Sequence, residues 1–298
     1  MIGPPPSQRP MWHDPVTHAG DFAERYAEQR RSTAAASASR IIEFAGIQPG
    51  QRVIDLCCGP GLVSLHIAER VGASGALIGV DGSRAMIDLA RANVTAPNAS
   101  FIVGDARDLP ALIASAVDHV VATSAWQNFL LDKERVVDAV QAVLKPGGRF
   151  TFDVRMQPAG AAVPGREAGA DLLRERVVGA VRAEYPDVTF DERQDFGMFG
   201  VRTVDRAVYT EDLLQSDLKL LETHGFYLAA RHNVPRTDRA AAYDRHRWRM
   251  DYWLSRTVPA LSPEARTKVL DRVVRELRSR GRTRPGRGQM TYLVLETR

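Results

Sequence analysis

Residues 53–61 read Val53-Ile-Asp-Leu-Cys-Cys-Gly-Pro-Gly, a short apolar run that ends in a glycine-rich turn. The run predicts a buried strand over residues 52–56. Residues 62–71, apolar at helical spacing, predict a helix straight after the turn. The same alternation then repeats. Strands are expected at 76–81, 101–103, 117–123 and 149–154, with helices at 83–93 and 132–144 and a Lys145-Pro-Gly-Gly turn before the last strand. Strands that alternate with helices of about ten residues make parallel βαβ units. Right-handed crossovers put the helices on both faces of the sheet. The expected fold is therefore α/β: a doubly wound, mostly parallel, Rossmann-like sheet.

Outside this run the rhythm changes. Residues 1–15 are Pro-rich and read as a loose arm, and two helices are expected at 21–30 and 32–44, with Gly46 as a stop. After Val154, residues 157–169 are rich in Pro, Gly and Ala and read as a loop, followed by a helix at 171–183. Thr210 is placed to cap a helix over 210–224, with Glu211 and Asp212 in its first turn and Gly225 at its end. A sixth strand (226–234), two helices (236–256 and 262–280) and a final strand from Met290 complete the chain. Three regions follow: an N-terminal arm and lid helices (1–46), a core (47–156), and a remainder (157–298). In the remainder, 210–235 and 289–298 return to the core sheet, while 157–209 and 236–288 form helical cap insertions.

Composition narrows the function classes. The only cysteines, Cys57 and Cys58, are adjacent and make no disulfide framework, which fits a reducing cytoplasm. There is no apolar run of membrane-spanning length, and the N-terminus has no apolar signal core, so a cytoplasmic protein is expected. The formal net charge of +4 mildly favours acidic partners. Only four of the 40 basic residues are lysine, however, and the arginines are spread along the chain rather than gathered in one patch.

Three features at the carboxyl ends of predicted strands carry chemistry, since open α/β sheets bind ligands there. Gly59 and Gly61 let the backbone turn tightly and approach a ligand. Asp81, at the end of the second strand, is placed to accept both hydroxyls of a ribose. Gly104-Asp105-Ala106 closes the third strand. A dinucleotide site is one reading of this set, but its fingerprint wants Gly or Ala where this chain has Ser64. Asp55, an acid inside the first strand, is also something a dinucleotide site does not need.

These residues resemble the class I S-adenosylmethionine-dependent methyltransferases over about residues 51–154. Val53-Ile-Asp-Leu-Cys-Cys-Gly-Pro-Gly is similar to the family's first motif, Gly79-Val-Asp-Gly-Ser to its second, Val103-Gly-Asp-Ala to its third, and Leu144-Lys-Pro-Gly-Gly-Arg-Phe to the turn and strand after the fourth helix. The resemblance implies S-adenosylmethionine as cofactor and a methyl acceptor of small-molecule type. It implies that Asp55, Cys57 and the Gly59–Gly61 backbone hold the methionine end, together with Thr123. Asp81 and Gly82 would hold the ribose, Met86 would pack on the adenine, and Asp105 and Ala106 would meet its edge. Trp126, Gln127 and Asn128 follow the fourth strand and would line the substrate. Phe22-Ala-Glu-Arg-Tyr-Ala-Glu is similar to the lid helix of small-molecule members, with Tyr26 closing over the cofactor.

Structural readings stand beside these. Met86, Tyr26 and Trp126 suit core packing, and Gln127 and Asn128 suit a cap for the helix from Asp132. His66 and His119 fall inside predicted elements. His13, His18, His232 and His246 fall where they can border a substrate, and no spacing among them suggests a metal site. Tyr243, His246, Trp248, Tyr252 and Trp253 form an aromatic stripe suited to a pocket or to packing. Residues 275–287, with Arg275, Arg278, Arg280, Arg282, Arg284 and Arg287, read first as a solvated helix end and loop, since cations suit a helix C-terminus, so a nucleic-acid partner is not expected; their second reading is methylation of RNA. A third reading is a non-methylating cofactor-binding protein on the same fold.

Overall fold

The structure, a computed structural model, describes residues 20–129, 132–156, 166–191, 209–235, 242–279 and 289–297. The N-terminal arm, the 157–165 part of the predicted loop and the arginines beyond Ser279 lie outside the described residues. The chain divides into two compact units.

The larger unit is a seven-stranded sheet in the order β3-β2-β1-β4-β5-β7-β6. Its strands are β1 (Arg52–Leu56), β2 (Ala76–Asp81), β3 (Ala99–Val103), β4 (Val117–Ala122), β5 (Leu144–Met156), β6 (Phe226–Pro235) and β7 (Gln289–Thr297). β1 to β5 pair in parallel, while β7 runs antiparallel to both its neighbours. β1 connects towards β2 on one side and β4 towards β5 on the other. The order therefore reverses between β1 and β4, the place where open α/β sheets bind ligands.

α1 (Gly20–Ala45) is one helix of 26 residues, not the two expected. Ala27, Ala34, Ala38, Ile41 and Ala45 recur at intervals of three, four or seven and are buried, so a single stripe runs through the Ser32-Thr33 point taken as a break. Its C-terminal end, Ile41 and Ala45, joins Val53, Ile67, Val71, Leu77 and Ile87 in the main core. α2 (Leu62–Val71), α3 (Arg84–Asn93), the short α4 (Leu109–Leu112), α5 (Lys133–Val143) and α7 (Glu211–Thr223) complete the unit. Two short 3-10 turns, Ala106–Asp108 and Trp126–Asn128, follow β3 and β4.

β5 begins at Leu144, so the predicted Lys145-Pro-Gly-Gly turn lies inside the strand. Leu144 pairs with Val117, and a register shift before His119 absorbs the left-handed Gly147 (φ 71°). Lys145 is also tied down by Asp118 at 2.6 Å, and its carbonyl accepts from the Thr297 hydroxyl at 3.0 Å.

The second unit contains α6 (Arg166–Glu184), α8 (Ala242–Thr257) and α9 (Pro263–Ser279), helices from the two segments expected as insertions. Val177, Val181, Met250, Trp253, Leu254, Val269, Leu270 and Val273 form its own core. Tyr252 and Trp253 of the aromatic stripe are buried, and the side chains of Tyr243 and His246 lie outside the described residues. Glu184 of α6 bridges Lys268 and Arg272 of α9 at 3.1 and 3.2 Å. No helix among the described residues is long and apolar enough to cross a membrane.

Candidate functional site

The chain leaves β1 through Cys57, a non-glycine residue in the left-handed region (φ 57°), and enters α2 through Gly59 (φ 55°) and Gly61 (φ 76°). The two glycines serve different ends. A Cβ on Gly61 would sit 3.0 Å from the Ala90 backbone, so this glycine lets α3 approach the turn. A Cβ on Gly59 would meet nothing within 4 Å. Gly59 therefore presents bare backbone to open space at the carboxyl end of β1, where open α/β sheets bind ligands.

Asp55 is buried at the end of β1 and accepts from the Ser64 hydroxyl of α2 at 2.6 Å. Burial pushes its carboxyl up to about 7, against the Ser64 bond and helped by the negative Asp81 nearby. Burial and the surrounding carboxylates likewise keep both Cys57 and Cys58 thiols protonated. Such thiols are poor nucleophiles.

Asp81, at the end of β2, accepts from the Gly59 amide through Oδ2 and from the Ser83 amide through Oδ1, each at 2.9 Å. Gly82 follows, half-buried, and Ser83 caps α3 by accepting from the Met86 amide at 3.4 Å. The Met86 side chain is largely buried on α3. After β3, Asp105 caps the 3-10 turn and takes three donors from Arg107, the amide at 2.9 Å, Nε at 2.9 Å and Nη2 at 2.6 Å. Arg107 also reaches Asp132 at 2.9 Å, and Ala106 is buried beside it. The Asp105-x-Arg107 spacing was visible in the sequence, but nothing there marked the pair as a clamp.

The turn after β4 contains a second left-handed non-glycine residue, Ser124 (φ 57°). Among the described residues, Cys57 and Ser124 are the two non-glycine residues with positive φ, and they flank the β1–β4 reversal. Strain of this kind gathers at ligand sites. The Ser124 amide donates to the Asp153 carboxylate of β5, and its carbonyl accepts from Gln127 Nε2 at 2.7 Å. Thr123 Oγ1 is buried without a hydrogen-bond partner among the described residues. Trp126 is fully buried, stacked on Phe152 with ring centroids 4.4 Å apart, and its indole N–H donates to Asp217 at 2.7 Å. It is a core residue, not an exposed pocket wall. The Asn128 side chain lies outside the described residues. Tyr26 is half-buried on α1, stacked with Phe22.

Two groups escaped the sequence reading. Asp153 is buried in β5, and burial raises its carboxyl to about 6 despite the Ser124 amide and the positive Arg30 of α1. Its signal was an acid within Phe150-Thr-Phe-Asp-Val, the same anomaly that marked Asp55. Lys133, Tyr209 and Asp217 form a buried polar cluster around the Trp126 indole, with Lys133 Nζ 2.6 and 2.5 Å from the two Asp217 oxygens. Their sequence separation hid them. Of the histidines, His119 is buried against Gln51 at 3.0 Å, His66 lies 3.3 Å from Glu69, and His232 stacks on Phe44. Among the described residues, no group of three or more His, Cys, Asp or Glu is placed to hold a metal.

Residues 53–148 match a family described as "Methyltransferase domain". An arsenite methyltransferase of Halobacterium salinarum is 37% identical over 144 residues, 44% of this chain and 36% of the relative. A 2-phytyl-1,4-naphtoquinone methyltransferase of Synechococcus elongatus is 33% identical over 114 residues, 36% of this chain and 47% of the relative. The chain thus spans less than half the length of these curated relatives. A methyltransferase structure from Geobacter sulfurreducens, solved with S-adenosyl-L-homocysteine, superposes with a TM-score of 0.53 at 16% identity, over 88% of this chain and 91% of that one. That likeness is one of fold.

Proposed function

We propose, from the premise that residues 53–148 are a class I S-adenosylmethionine-dependent methyltransferase domain, that the chain binds S-adenosylmethionine at the β1–β4 reversal and methylates a small molecule. One observation carries the reading: the open, left-handed Gly59 turn bonded to the Asp81 carboxylate at 2.9 Å. A bare backbone turn accepts a ligand without steric cost, and a carboxylate beside it accepts hydroxyl hydrogens.

The residues present fit the cofactor. Asp81 and Gly82 would take the ribose, while Gly59, Asp55, Cys57 and Thr123 would surround the methionine end. Thr123 Oγ1, buried without a hydrogen-bond partner among the described residues, lies on the turn that would border that end. Met86, Asp105 and Ala106 would take the adenine, with Arg107 fixing the direction of the Asp105 carboxylate. Tyr26 would close the site from α1. When bound, the cofactor supplies a methyl group on a positively charged sulfur. The chain's own part is then to hold two reactants in line and exclude water, which accounts for large accelerations without covalent chemistry. Similarity to an arsenite methyltransferase and a 2-phytyl-1,4-naphtoquinone methyltransferase supports a small acceptor.

Calorimetric titration with S-adenosylmethionine, S-adenosylhomocysteine and NAD tests the reading. Both sulfur compounds are expected to bind and NAD to be refused. Binding of NAD alone would return the Gly59 turn to a dinucleotide role and overturn methyl transfer. Conversion of S-adenosylmethionine to S-adenosylhomocysteine, dependent on an added small acceptor, completes the assignment.

A further inference from the structure

The turn after β4 holds a contradiction that only its neighbour resolves. Ser124 is left-handed, a conformation that costs a side-chain-bearing residue free energy and that glycine adopts freely. No glycine is used there. Instead the Ser124 amide is bonded to Asp153, a carboxylate buried in the adjacent strand. A bond to an ionised acceptor is about twice as strong as one between neutral groups. It is placed to hold the turn in a shape its own backbone disfavours. That turn also carries Thr123 and Gln127, and Gln127 adds a second clasp to the Ser124 carbonyl at 2.7 Å.

Asp153 is surrounded in a way that keeps it in this task. Arg30 of α1 faces it with positive charge, and Ser124 meets it from β4. Tyr292 of β7, its cross-strand partner, faces it from the other side and is itself bonded to Arg40 of α1. The neighbouring Phe152 points to the opposite face, against Trp126. Asp153 therefore meets the turn after β4 from within the sheet, through the Ser124 amide.

We propose that Asp153 is a positioning residue of the cofactor site, acting through the Ser124 amide to hold the strained turn after β4 in its binding shape. This rests on the assignment of S-adenosylmethionine to the site. The hold weakens when the carboxylate is protonated, and Asp153 releases Ser124 if it is removed.

The test uses the full chain with S-adenosylhomocysteine as probe. Asp153→Ala should weaken binding about tenfold, the scale of one lost charged hydrogen bond. Ser124→Gly placed in the Asp153→Ala background should restore most of that affinity, because glycine takes the left-handed turn unaided. A merely structural or directly ligand-contacting Asp153 gives no such rescue. Unchanged binding by Asp153→Ala, or a loss that Ser124→Gly does not repair, overturns the proposal. Should Asp153→Ala not fold, the wild-type Ser124 amide resonance decides: it should titrate with a midpoint of about 6. A resonance unmoved between about pH 5 and 8 overturns the hold. If the wild type binds no S-adenosylhomocysteine, the cofactor assignment falls. The Asp153–Ser124 hold is then judged by the amide titration alone.

Discussion

The Gly59 amide donates to the Asp81 carboxylate across 2.9 Å, so the turn after β1 and the end of β2 share one anchor. The other oxygen takes the Ser83 amide, which fixes the carboxylate's direction from both sides. A carboxylate held so firmly is ready to accept ligand hydroxyls without rearranging. Asp81→Ala should weaken S-adenosylhomocysteine binding by about 1.5–3 kcal/mol, the range for a hydrogen bond to a charged group. Calorimetry reads this directly. Unchanged affinity would remove Asp81 from the ligand's reach.

The two glycines of the first turn should fail differently. Gly61→Ala puts a Cβ 3.0 Å from backbone of α3 at a left-handed position, so both packing and conformation suffer. Gly59→Ala adds a Cβ into open space and carries only the conformational cost, about 1–2 kcal/mol. Urea unfolding should therefore show the greater stability loss for Gly61→Ala. Affinity for S-adenosylhomocysteine should fall more than stability does for Gly59→Ala, because in the proposed site its Cβ would stand where the ligand lies.

Much of this was legible in the sequence because the information is local. Strand, turn and helix in residues 52–71 follow from apolar spacing and two glycines, and Asp81 follows from its place at a strand end. What was hidden depends on distance along the chain. Asp153 bonds Ser124 from 29 residues away, and Asp217 bonds Trp126 from 91 away. No periodicity reports such pairs. α1 is one helix where two were expected at 21–30 and 32–44, because the buried alanines that make it continuous are small and weakly marked. The core role of Trp126 likewise needed its acceptor, Asp217, to be seen.

Asp55 sets a pH dependence with a definite sign. Its carboxyl is raised from 3.8 to about 7, with burial the main cause. A folded-state value above the unfolded one means the folded chain binds the extra proton. The resulting stability is fully present below about pH 3.8 and is lost as pH rises through 7. Asp55→Asn removes that titration. The stability of the variant relative to wild type should therefore move in the variant's favour as pH rises from about 4 to 8. Urea unfolding at stepped pH checks it, and a constant gap would mean that Asp55 does not titrate in this window.

Lys133 and Asp217 test whether charge or shape holds α5 to α7. Burial lowers the Lys133 ammonium, and its bond to Asp217 opposes that shift. Lys133→Met would leave the Asp217 carboxylate buried with only the neutral Tyr209 and Trp126 donors. Removing one partner of a buried pair costs about 3–5 kcal/mol. Asp217→Asn, added to Lys133→Met, takes away the stranded charge and keeps an oxygen for the Trp126 indole. The double variant should regain most of the lost stability in urea unfolding. A double variant as unstable as Lys133→Met alone would show that the ammonium's contacts, including its 5.2 Å approach to the Trp126 ring, matter more than the charge it neutralises.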